Sequence, residues 1–328
     1  IPRIDFSDDA NGALLLEPNA TNLVVYSEDF TQSNWTNPSG TQLSPTTTVT
    51  PSGSTNAVRV KNVGGANNDL RSVVSITSGL TYTNSAYIRR VSGVGPVVFR
   101  DVNNGGNSIT LTSEWQKFSS TVLSNSTNGR FYLEVNTLND EIEVWGAQTE
   151  QQSYATSYIK NEGTALGVTR SADTATGSGN STVINSSEGV LYAEINAFIE
   201  KQNSFTAISL SDNSYDNNIR MGFNTSTNTV YANFRKGSIS LYGLTYVISN
   251  ITELTKIAVK FNSIGFYLYI NGVLADSNLT STTFPINTLT SLKFTRGDTA
   301  HSFEGKTKDL RVYNTALTDS ELIALTTI

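Results

Sequence analysis

The sequence contains no cysteine and only one histidine, His301. The absence of cysteine excludes disulfide bonds and thiol chemistry. A single histidine argues against a zinc site, since such sites usually take several histidine or cysteine ligands. It also excludes most catalytic triads that use histidine as the base, unless His301 itself serves. We interpret His301 as a loop residue, because no nucleophile motif stands beside it.

Basic runs and long apolar runs are also lacking. The 328 residues include 22 lysines and arginines against 28 aspartates and glutamates, which makes a formal net charge of −6. This balance argues against a nucleic-acid partner. No apolar run reaches the roughly 18 residues of a membrane-spanning helix, so we expect no membrane insertion. The chain begins with Ile1 and shows no signal peptide, which indicates a fragment or a processed product.

Serine, threonine, asparagine and glycine are abundant, and apolar residues alternate with polar ones. Alternation with a period of two places every second side chain on the same face of a strand. Clear cases are RFYLEVN at residues 130–136, VLYAEINAFIE at residues 190–200 and KIAVKF at residues 256–261. Such segments recur along the chain with turn-forming residues between them. The pattern predicts an all-β protein made of two antiparallel β-sandwiches in tandem.

Two local signals are specific enough to place single elements. The Asn-Gly pair at residues 271–272, flanked by alternating segments, predicts a tight β-hairpin, because both turn residues need positive φ angles. The stretch ALTDSELIALTT near the C-terminus predicts one short helix. Thr318 and Glu321 have the spacing of a capping box, and Leu317 and Leu322 have that of a hydrophobic staple.

The domain boundaries follow from a change in composition. The segment KNEGTALGVTRSADTATGSGNS lacks strong periodicity and ends rich in glycine, serine and threonine. We therefore predict a lead-in segment at residues 1–22, a first sandwich at residues 23–160, a linker at residues 161–180 and a second sandwich at residues 181–328.

Motifs in the first half resemble a module that recurs in bacteriophage tail-fibre and head-spike proteins. The stretches LLLEPNATNLVVYSEDFTQSNW and VWGAQTEQQSYATSYIKNEGTALGVTRSAD carry this resemblance. It implies a virion-surface or extracellular protein, other fibre or tail proteins as partners, and a homo-oligomer, most often a trimer. The matching positions are Leu14–Pro18, Thr21–Leu23, Tyr26–Phe30, Trp35, Trp145–Gln148, Glu150, Ala155–Ile159, Thr169, Arg170 and Asp173.

The region between these motifs is similar to the jelly rolls of carbohydrate-binding families 4 and 9. The shared features are an acidic-Phe pair, the stretch SGLTYTNSAYIRR and the stretch SEWQKFSSTV. Members of that group often hold a structural calcium ion with acidic groups of the first and last strands. The resemblance implies Glu28 and Asp29 as calcium ligands. Trp145 and Gly146 stand where aspartates of the last strand are expected, so calcium stays an open alternative.

The second half resembles a laminin G or concanavalin A-like sandwich. The stretches KIAVKFNSIGFYLYINGVLADS and LKFTRGDTAHSFEGKTKDLRVYNTALTDSELIAL match the closing strands and the terminal helix of that fold. The resemblance implies the fold of the second sandwich but names no ligand. The matching run near the end of the chain is Phe303, Gly305, Asp309, Leu310 and Arg311–Asn314.

Aromatic side chains of the first half are candidates for stacking on sugar rings, whose apolar faces match a flat ring. We interpret Trp35 and Trp115 as core residues. Tyr132 shares the polar face of its strand with Glu134, so we predict that these two residues, with Tyr87, bind ligand. The full set considered is Trp35, Tyr82, Tyr87, Trp115, Tyr132 and Tyr154.

One loop of the second half concentrates oxygen ligands. The stretch SLSDNSYDNNIR brings acidic and amide side chains together between two strands. Such a density suits calcium or sugar hydroxyls, although its spacing does not match an EF-hand loop. The same residues are also good turn formers, so both interpretations stay open. The predicted ligand-binding residues are Asp212, Asn213, Tyr215, Asp216 and Asn217.

Tyr267 and Tyr269 alternate with Phe266, Leu268 and Ile270 in one predicted strand. One of the two sets must face the core of the sandwich. We predict that Tyr267 and Tyr269 form the other face, which packs on the first sandwich or on a neighbouring subunit and is the best candidate for an assembly surface.

Three motifs invite functional interpretations that we do not favour. Glu141 and Glu143 lie two residues apart, as a pair of hydrolytic carboxylates would, and resemble the Glu-x-Asp-x-x-Glu strand of family 16 glycoside hydrolases. The third acidic position is Gly146, however, so we interpret the pair as a solvated strand face. The run ending at residues 305–307 lacks the first glycine of a phosphate-binding loop. The Arg-Gly-Asp tripeptide at residues 296–298 is interpreted as a chance match in a turn.

These observations together predict a non-catalytic fibre or spike subunit, an adhesin that binds host-surface polysaccharide. A first alternative is a purely structural subunit of a virion or extracellular filament. A second alternative is a glycan depolymerase, for which Glu141 and Glu143 are the candidates visible in the sequence. Structural calcium is the cofactor that the sequence leaves open.

Overall fold

Antiparallel β-strands make up most of the chain in the computed structural model, which describes residues 3–7, 9–64, 68–280 and 282–328. The strands that come first are β1 (Arg3–Asp5) and β2 (Ala13–Leu16). They are followed by β3 (Ala20–Asn22), β4 (Trp35–Thr36), β5 (Thr41–Pro45), β6 (Val58–Asn62), β7 (Asp69–Ser75), β8 (Thr81–Ser92), β9 (Val97–Arg100), β10 (Gly106–Ile109), β11 (Gln116–Leu123), β12 (Asn128–Val135), β13 (Glu141–Glu150) and β14 (Val168–Arg170).

The remaining strands complete the second half of the chain. They are β15 (Gly179–Asn180), β16 (Gly189–Asn196), β17 (Ile208–Ser211), β18 (Asn218–Phe223), β19 (Thr229–Lys236), β20 (Ile239–Val247), β21 (Thr255–Phe261), β22 (Phe266–Ile270), β23 (Val273–Asn278), β24 (Ser291–Lys293) and β25 (Gly305–Tyr313), followed by helix α1 (Asp319–Thr326). The prediction of an all-β chain of antiparallel sandwiches with a short C-terminal helix is confirmed.

The chain divides into two compact units, and their boundaries differ from the predicted ones. The first sandwich is Asn19–Ser171, and the second sandwich is Ile1–Pro18 together with Ala172–Ile328. The predicted lead-in segment, residues 1–22, is therefore shared between the units, and its residues 1, 2 and 8 lie outside the described residues. The predicted linker, residues 161–180, contains β14 of the first sandwich and β15 of the second.

The first sandwich contains two five-stranded sheets, ordered β10-β9-β12-β7-β4 and β11-β8-β13-β6-β5, and the two-stranded sheet β14-β3. Side chains of both larger sheets share one core, in which Ile88 lies with Phe131 and Leu133. The ring of Trp35 packs edge-on against that of Phe131, with centroids 5.5 Å apart. Its Nε1–H donates to the carbonyl of Tyr26 at 3.0 Å, so this buried tryptophan keeps a hydrogen bond.

The second sandwich pairs a seven-stranded sheet, β1-β2-β25-β16-β21-β22-β23, with a six-stranded sheet, β15-β24-β17-β18-β19-β20. The alternation of β21 is confirmed, because Ile257, Val259 and Phe261 are at most 1% exposed and belong to the core between the sheets. Phe234 contributes from the facing sheet. Burial of each such side chain stabilises the fold by about 1.5–3 kcal/mol.

The N-terminal hairpin extends the second sandwich. β2 pairs with β25, where Leu16 lies opposite Gly305, and Leu16 is 4% exposed in the core. Arg3 forms ion pairs with Glu17, at 2.8 Å, and with Asp173. The strand pairing attaches this hairpin to the C-terminal part of the chain, and the ion pairs attach Arg3 to Asp173, near the point where the chain returns to the second sandwich.

The local turn and cap predictions are confirmed. Asn271 and Gly272 have φ angles of 48° and 84° and join β22 to β23. The Thr318 side chain accepts from the backbone N–H of Glu321, whose carboxylate accepts from the Thr318 N–H at 2.8 Å. Leu322 is fully buried. Within the described residues, no helix has the length and apolar character to cross a membrane.

Candidate functional site

The outward face of the six-stranded sheet carries polar side chains that are nevertheless buried. Ser209, Arg220 and Asn233 lie opposite one another on β17, β18 and β19, and they are 0%, 9% and 8% exposed. Their neighbours Ile219 and Met221 point the other way, into the core. Burying such polar groups is costly unless they are hydrogen-bonded. A cavity with a few converging polar groups is typical of a ligand site.

The loop between β17 and β18, predicted to bind ligand, is held by its own hydrogen bonds. Asp212 accepts from the Ser214 N–H at 2.9 Å and from the Asn217 side-chain amide at 2.7 Å. Asp216 accepts from the Ser238 hydroxyl at 2.5 Å. Burial raises the pKa of the Asp212 carboxyl, but the hydrogen bonds from Ser214 and Asn217 together lower it by more. The pKa therefore lies below its usual value. Both carboxylates therefore serve the turn.

Tyr215, from the same loop, lies among three arginines. The guanidinium carbons of Arg296, Arg235 and Arg220 are 3.8, 3.9 and 5.2 Å from the centroid of its ring. Cations at these distances are attracted to the face of an aromatic ring. Asn218 fixes the arrangement, since its amide group donates to the Tyr215 carbonyl and accepts from Arg220 Nη1, both at 2.7 Å.

A cavity of about 340 Å³ opens beside this cluster. Arg220 and Tyr231 are 9% and 5% exposed and form its floor, whereas Phe205 is 39% exposed at its mouth. The rings of Phe205 and Tyr231 meet edge to face, with centroids 5.1 Å apart. The volume lies within the range of small-molecule sites. The lining residues, which we call the arginine cavity, are Phe205, Tyr215, Arg220, Tyr231, Arg296 and His301.

His301 and Arg296 reach the cavity from the segment between β24 and β25. His301 Nδ1 lies 3.1 Å from the carbonyl oxygen of Phe205. Because a carbonyl only accepts, Nδ1 carries the proton in this bond, and Nε2 of the neutral ring is an acceptor. Gly297 has a φ of +115°, and a Cβ there would lie 2.5 Å from the Ser214 carbonyl oxygen. A glycine is therefore needed where this segment meets the Tyr215 loop.

The arginine cavity is positively charged. Arg296 pairs with Asp298, with Nη2 and Oδ2 2.6 Å apart. Arg220 and Arg235 form no ion pair with a carboxylate of the described residues, and Arg235 Nε is buried without a hydrogen-bond partner. Burial raises the pKa of Tyr231 to about 12, although the neighbouring Arg220 opposes the shift. The tyrosine hydroxyl is therefore neutral and leaves the cationic charge uncompensated.

The family model described as "Concanavalin A-like lectin/glucanases superfamily" matches residues 193–323. This part of the chain is a laminin G/concanavalin A-like domain. It contains every residue of the arginine cavity. The resemblance stated for the second half of the sequence is confirmed.

Comparison with solved structures finds matches to parts of this chain, of which three are given. The CBM40 of the Ruminococcus gnavus IT-sialidase, bound to α2,3-sialyllactose, is 20% identical, with a TM-score of 0.37 and coverage of 45% of this chain and 86% of that chain. The heptameric SAP-like pentraxin of Limulus polyphemus is 12% identical, with a TM-score of 0.35 and coverage of 46% of this chain and 73% of that chain. The CBM22-1 xylan-binding domain of Paenibacillus barcinonensis Xyn10C is 16% identical, with a TM-score of 0.31 and coverage of 42% of this chain and 94% of that chain. These likenesses concern the fold alone. No curated protein matches the chain.

Sequence patterns missed most of the residues in the arginine cavity of the concanavalin A-like domain. Of the predicted loop residues, Tyr215 lines the cavity, while Asn213 is exposed and reaches the Thr290 hydroxyl at 3.4 Å. Arg296 stood out only as part of a tripeptide, and His301 only as a loop residue. A usable signal was Arg220, a charged residue in the middle of the mostly apolar stretch NIRMGF at residues 218–223.

Tyr132 and Tyr87, predicted to bind ligand, lie on different sheets of the first sandwich. Tyr132, on β12, is 9% exposed, and the Arg100 guanidinium carbon lies 5.2 Å from its ring centroid. Arg100 also pairs with Glu134 at 2.8 Å. Tyr87, on β8, packs against Trp145 with ring centroids 5.5 Å apart. Both tyrosines point away from the shared core, so the structure does not bring them into one groove.

Trp115, predicted to be a core residue, lies outside the core. It is half-buried, and its Nε1–H donates to the Val49 carbonyl at 2.8 Å. The Arg89 guanidinium carbon lies 5.9 Å from its ring centroid. The prediction for Trp115 was wrong because the loop that contains Val49 and a neighbouring arginine, not the core, cover this ring.

Glu28 and Asp29, the predicted calcium ligands, line a cavity of about 630 Å³ in the first sandwich. Glu28 accepts from the Asn56 amide at 2.6 Å and the Tyr158 hydroxyl at 3.1 Å, and it pairs with Lys160 at 3.3 Å. Asp29 accepts from the turn that follows it. Across the described residues, no group of three or more His, Cys, Asp or Glu side chains is placed to hold a metal. Calcium binding remains a prediction.

The assembly surface predicted at Tyr267 and Tyr269 is covered by helix α1. Tyr269 is 1% exposed, packs with Leu322, and donates its hydroxyl to Asp319 Oδ1 at 2.8 Å. Lys260 pairs with the same Asp319 and lies 4.9 Å from the centroid of the Tyr267 ring. The prediction was wrong for Tyr269, because the chain's own helix buries this face. Tyr267 is half-buried beside it.

The sequence suggested that Glu143 lies on a solvated strand face, and this interpretation was wrong. Glu143 is fully buried. It accepts from Thr46 Oγ1 at 2.7 Å, Arg59 Nη2 at 3.0 Å and Arg89 Nε at 2.8 Å. Burial raises the pKa of its carboxyl, but these hydrogen bonds outweigh burial and bring the pKa below its usual value. Glu141 pairs with Lys61 at 2.9 Å. A carboxyl held ionised in this way is a poor general acid near neutral pH.

The substitution Glu143→Gln should lower the free energy of unfolding by about 1–2 kcal/mol at pH 7, since it removes two charge-assisted hydrogen bonds. Because the folded-state pKa is lowered, the carboxylate stabilises the fold above its unfolded-state pKa of 4.5 and loses this effect as the pH falls through the folded-state pKa. Urea unfolding at several pH values should show the variant and the wild type converging in acid. Glu141→Gln, on the same strand but less buried, should cost less than about 1 kcal/mol. An equal loss at pH 3 and pH 7 would contradict the assignment.

Proposed function

We propose that this chain is a non-catalytic subunit of a bacteriophage fibre or head spike that binds host-surface glycan through the arginine cavity. The supporting observation is the combination of groups at that cavity. Phe205 offers an exposed aromatic ring, Arg220 and Arg296, held by the ring of Tyr215, offer N–H donors, and His301 offers an acceptor nitrogen. A pyranose stacks its apolar face on such a ring while its hydroxyls bond to planar polar groups.

The cavity of about 630 Å³ at Glu28 in the first sandwich is a weaker candidate. Its charged groups already have partners within the chain, as Glu28 has in Asn56, Tyr158 and Lys160. In the arginine cavity, Arg220 has a neutral partner, Asn218, and no carboxylate among the described residues. A ligand gains more from a group whose charge is uncompensated. The match of residues 193–323 to a lectin and glucanase superfamily agrees with this choice.

The virion role is supported by the fibre and spike motifs of the first half of the sequence. A homo-oligomer, most often a trimer in such proteins, would place several cavities on one particle at the virion surface. Linked sites raise the effective concentration of each weak binding event, so a single cavity of modest affinity is sufficient for adhesion.

The non-catalytic assignment is supported by the carboxyl groups at the arginine cavity and by Glu143. None of the six residues that line the arginine cavity is acidic. The hydrogen bond from Arg296 lowers the pKa of the nearby Asp298 carboxyl, although burial opposes this shift. Glu143 is likewise held ionised by arginines. Hydrolysis of a glycosidic bond needs a carboxyl with a raised pKa beside a second carboxylate.

Native electrophoresis through gels cast with bacterial polysaccharides tests the proposal. We expect the full chain to be retarded by at least one polymer of a panel that includes capsular polysaccharides and lipopolysaccharides, without a cleared zone. Phe205→Ala and Tyr215→Ala should each weaken the retardation about tenfold or more. Tyr246→Ala removes a tyrosine that is 38% exposed outside the cavity and should leave it unchanged.

Three results would overturn parts of the proposal. A cleared zone would show degradation and a depolymerase. Retardation that survives both cavity substitutions would place the site elsewhere. No retardation by any polymer would favour a purely structural subunit. Thermal unfolding of each variant separates loss of binding from loss of fold.

A further inference from the structure

Arg220 is the residue of the arginine cavity whose charge the chain does not compensate. It is 9% exposed, and it forms no ion pair with a carboxylate of the described residues. Its Nη1 donates to the neutral side chain of Asn218 at 2.7 Å, and its guanidinium lies 5.2 Å from the Tyr215 ring centroid. Removing a guanidinium from water costs several kcal/mol unless an opposite charge lies close by. An anionic ligand would supply that charge.

Neighbouring cations strengthen the same local field. Arg296 and Arg235 lie 3.8 and 3.9 Å from the centroid of the Tyr215 ring. Asp298 pairs with Arg296, and Arg235 has no carboxylate partner within the described part of the chain. Three guanidinium groups therefore share one carboxylate. The whole chain carries a net charge of −6, so this positive site stands out from its surroundings.

We infer that the arginine cavity binds the carboxylate of an acidic sugar, a uronic or ulosonic acid unit of the glycan, with Arg220 as the anchor. The inference rests on the proposed function and specifies its ligand class. A planar guanidinium matches a planar carboxylate through two parallel N–H···O bonds. The exposed ring of Phe205 lies beside this anchor and accepts the apolar face of the sugar, whereas Tyr215 holds the arginines in place.

The same geometry disfavours neutral sugars. A neutral sugar in the cavity would displace water from Arg220 without providing an opposite charge. A site with a buried polar group rejects ligands that leave that group unpaired. We therefore expect the cavity to discriminate between an acidic sugar and its neutral counterpart by about tenfold or more.

Chemical reduction of carboxyl groups tests this inference with the full chain. Affinity gels are cast with polygalacturonate, alginate, hyaluronan and polysialic acid, with every bacterial polysaccharide that retards the chain, and with the same polymers after their carboxyls have been reduced to alcohols. Dextran serves as a neutral polymer. We expect at least one acidic polymer to retard the chain and its reduced form to bind about tenfold more weakly.

The outcomes separate the inference from the proposed function. Retardation by dextran or another neutral polymer alone would overturn the inference and leave glycan binding intact. Binding that survives carboxyl reduction would do the same, and would indicate phosphate or sulfate groups, which the reduction does not remove. Retardation by no polymer would overturn the proposed function and the inference together.

Variants locate the contact. Arg220→Gln should abolish the difference in binding between the acidic polymers and their reduced forms. Arg220→Lys keeps the positive charge but loses the planar guanidinium that can bind a carboxylate through two hydrogen bonds, so it should retain part of the difference. Arg311→Gln makes the same charge change at a site on β25 where the side chain is 54% exposed and pairs with Asp309. It should bind like the wild type. If Arg220→Gln does not fold, Arg296→Gln provides the test. Full discrimination in folded variants of both arginines would overturn the inference.

Discussion

The substitution Asn22→Ala should lower the free energy of unfolding of the first sandwich by about 3–5 kcal/mol. Asn22 is fully buried, and its amide donates to the carbonyls of Ala147 and Ile159 at 3.0 and 2.7 Å. Its oxygen accepts from the N–H groups of Val24 and Thr149 at 3.0 and 3.2 Å. Alanine would leave four buried backbone groups without partners, each at a cost of about 1–3 kcal/mol before relaxation.

Tryptophan fluorescence is a selective readout for this prediction. All three tryptophans of the chain, Trp35, Trp115 and Trp145, lie in the first sandwich. The midpoint of their thermal transition should fall by roughly 10 °C. Thr21→Ala is the matched control, because it removes an exposed hydroxyl that bonds only across to Thr169. Equal transitions for Asn22→Ala and wild type would contradict this role of Asn22.

Leu16→Ala should destabilise the second sandwich by about 2–4 kcal/mol, although this residue stands next to the first sandwich in sequence. Leu16 is 4% exposed and belongs to the core of the concanavalin A-like domain's sandwich. The loss combines the transfer free energy of the side chain with the cavity left behind. Ile4→Ala, in the paired strand, is the control, because Ile4 is 46% exposed and should change stability by less than about 0.5 kcal/mol.

Hydrogen exchange measured by mass spectrometry shows where each effect occurs. In Leu16→Ala, the amides of β25 and β16 should exchange faster, since these strands share a sheet with β2. Removal of residues 1–18 should have a larger effect, because it also exposes the edge of β25. Unchanged protection of β25 in both forms would show that the N-terminal hairpin does not stabilise this sheet.

Asn22 and neighbouring residues give a physical account of the motifs in the first half that resemble phage fibre and spike proteins. Asn22 of the Thr-Asn-Leu motif joins the first strands of its sandwich to β13. Gln148 accepts from the Ile159 N–H at 2.8 Å, which ties the Trp-Gly-Ala-Gln motif to the Ala-Thr-Ser-Tyr-Ile motif. Glu17 and Asp173 both bind Arg3. The motifs are therefore mainly structural contacts between distant segments, and they do not in themselves form a ligand site.

Local interactions explain the successful predictions. Alternation reports which side chains share a face, and β21 has the orientation that its alternation predicts. The capping box of Thr318 and Glu321 involves residues three apart, so the sequence contains both partners. The predictions of site residues were less accurate, because a sequence cannot show which loop covers which face of a sheet. Tyr215 was found through its polar neighbours, and its three arginines were not.

By itself, the sequence determined the fold class, the two sandwiches, the hairpin at residues 271–272 and the cap of α1, because these depend on side-chain periodicity and on contacts within a few residues. Only the tertiary structure showed that residues 1–18 belong to the second sandwich and that α1 buries Tyr269. Only the tertiary structure also brought Arg220 and Arg296 to the ring of Tyr215. Strand pairing and loop packing join residues far apart in the chain, and their free energy arises from burial and charge that no local pattern contains.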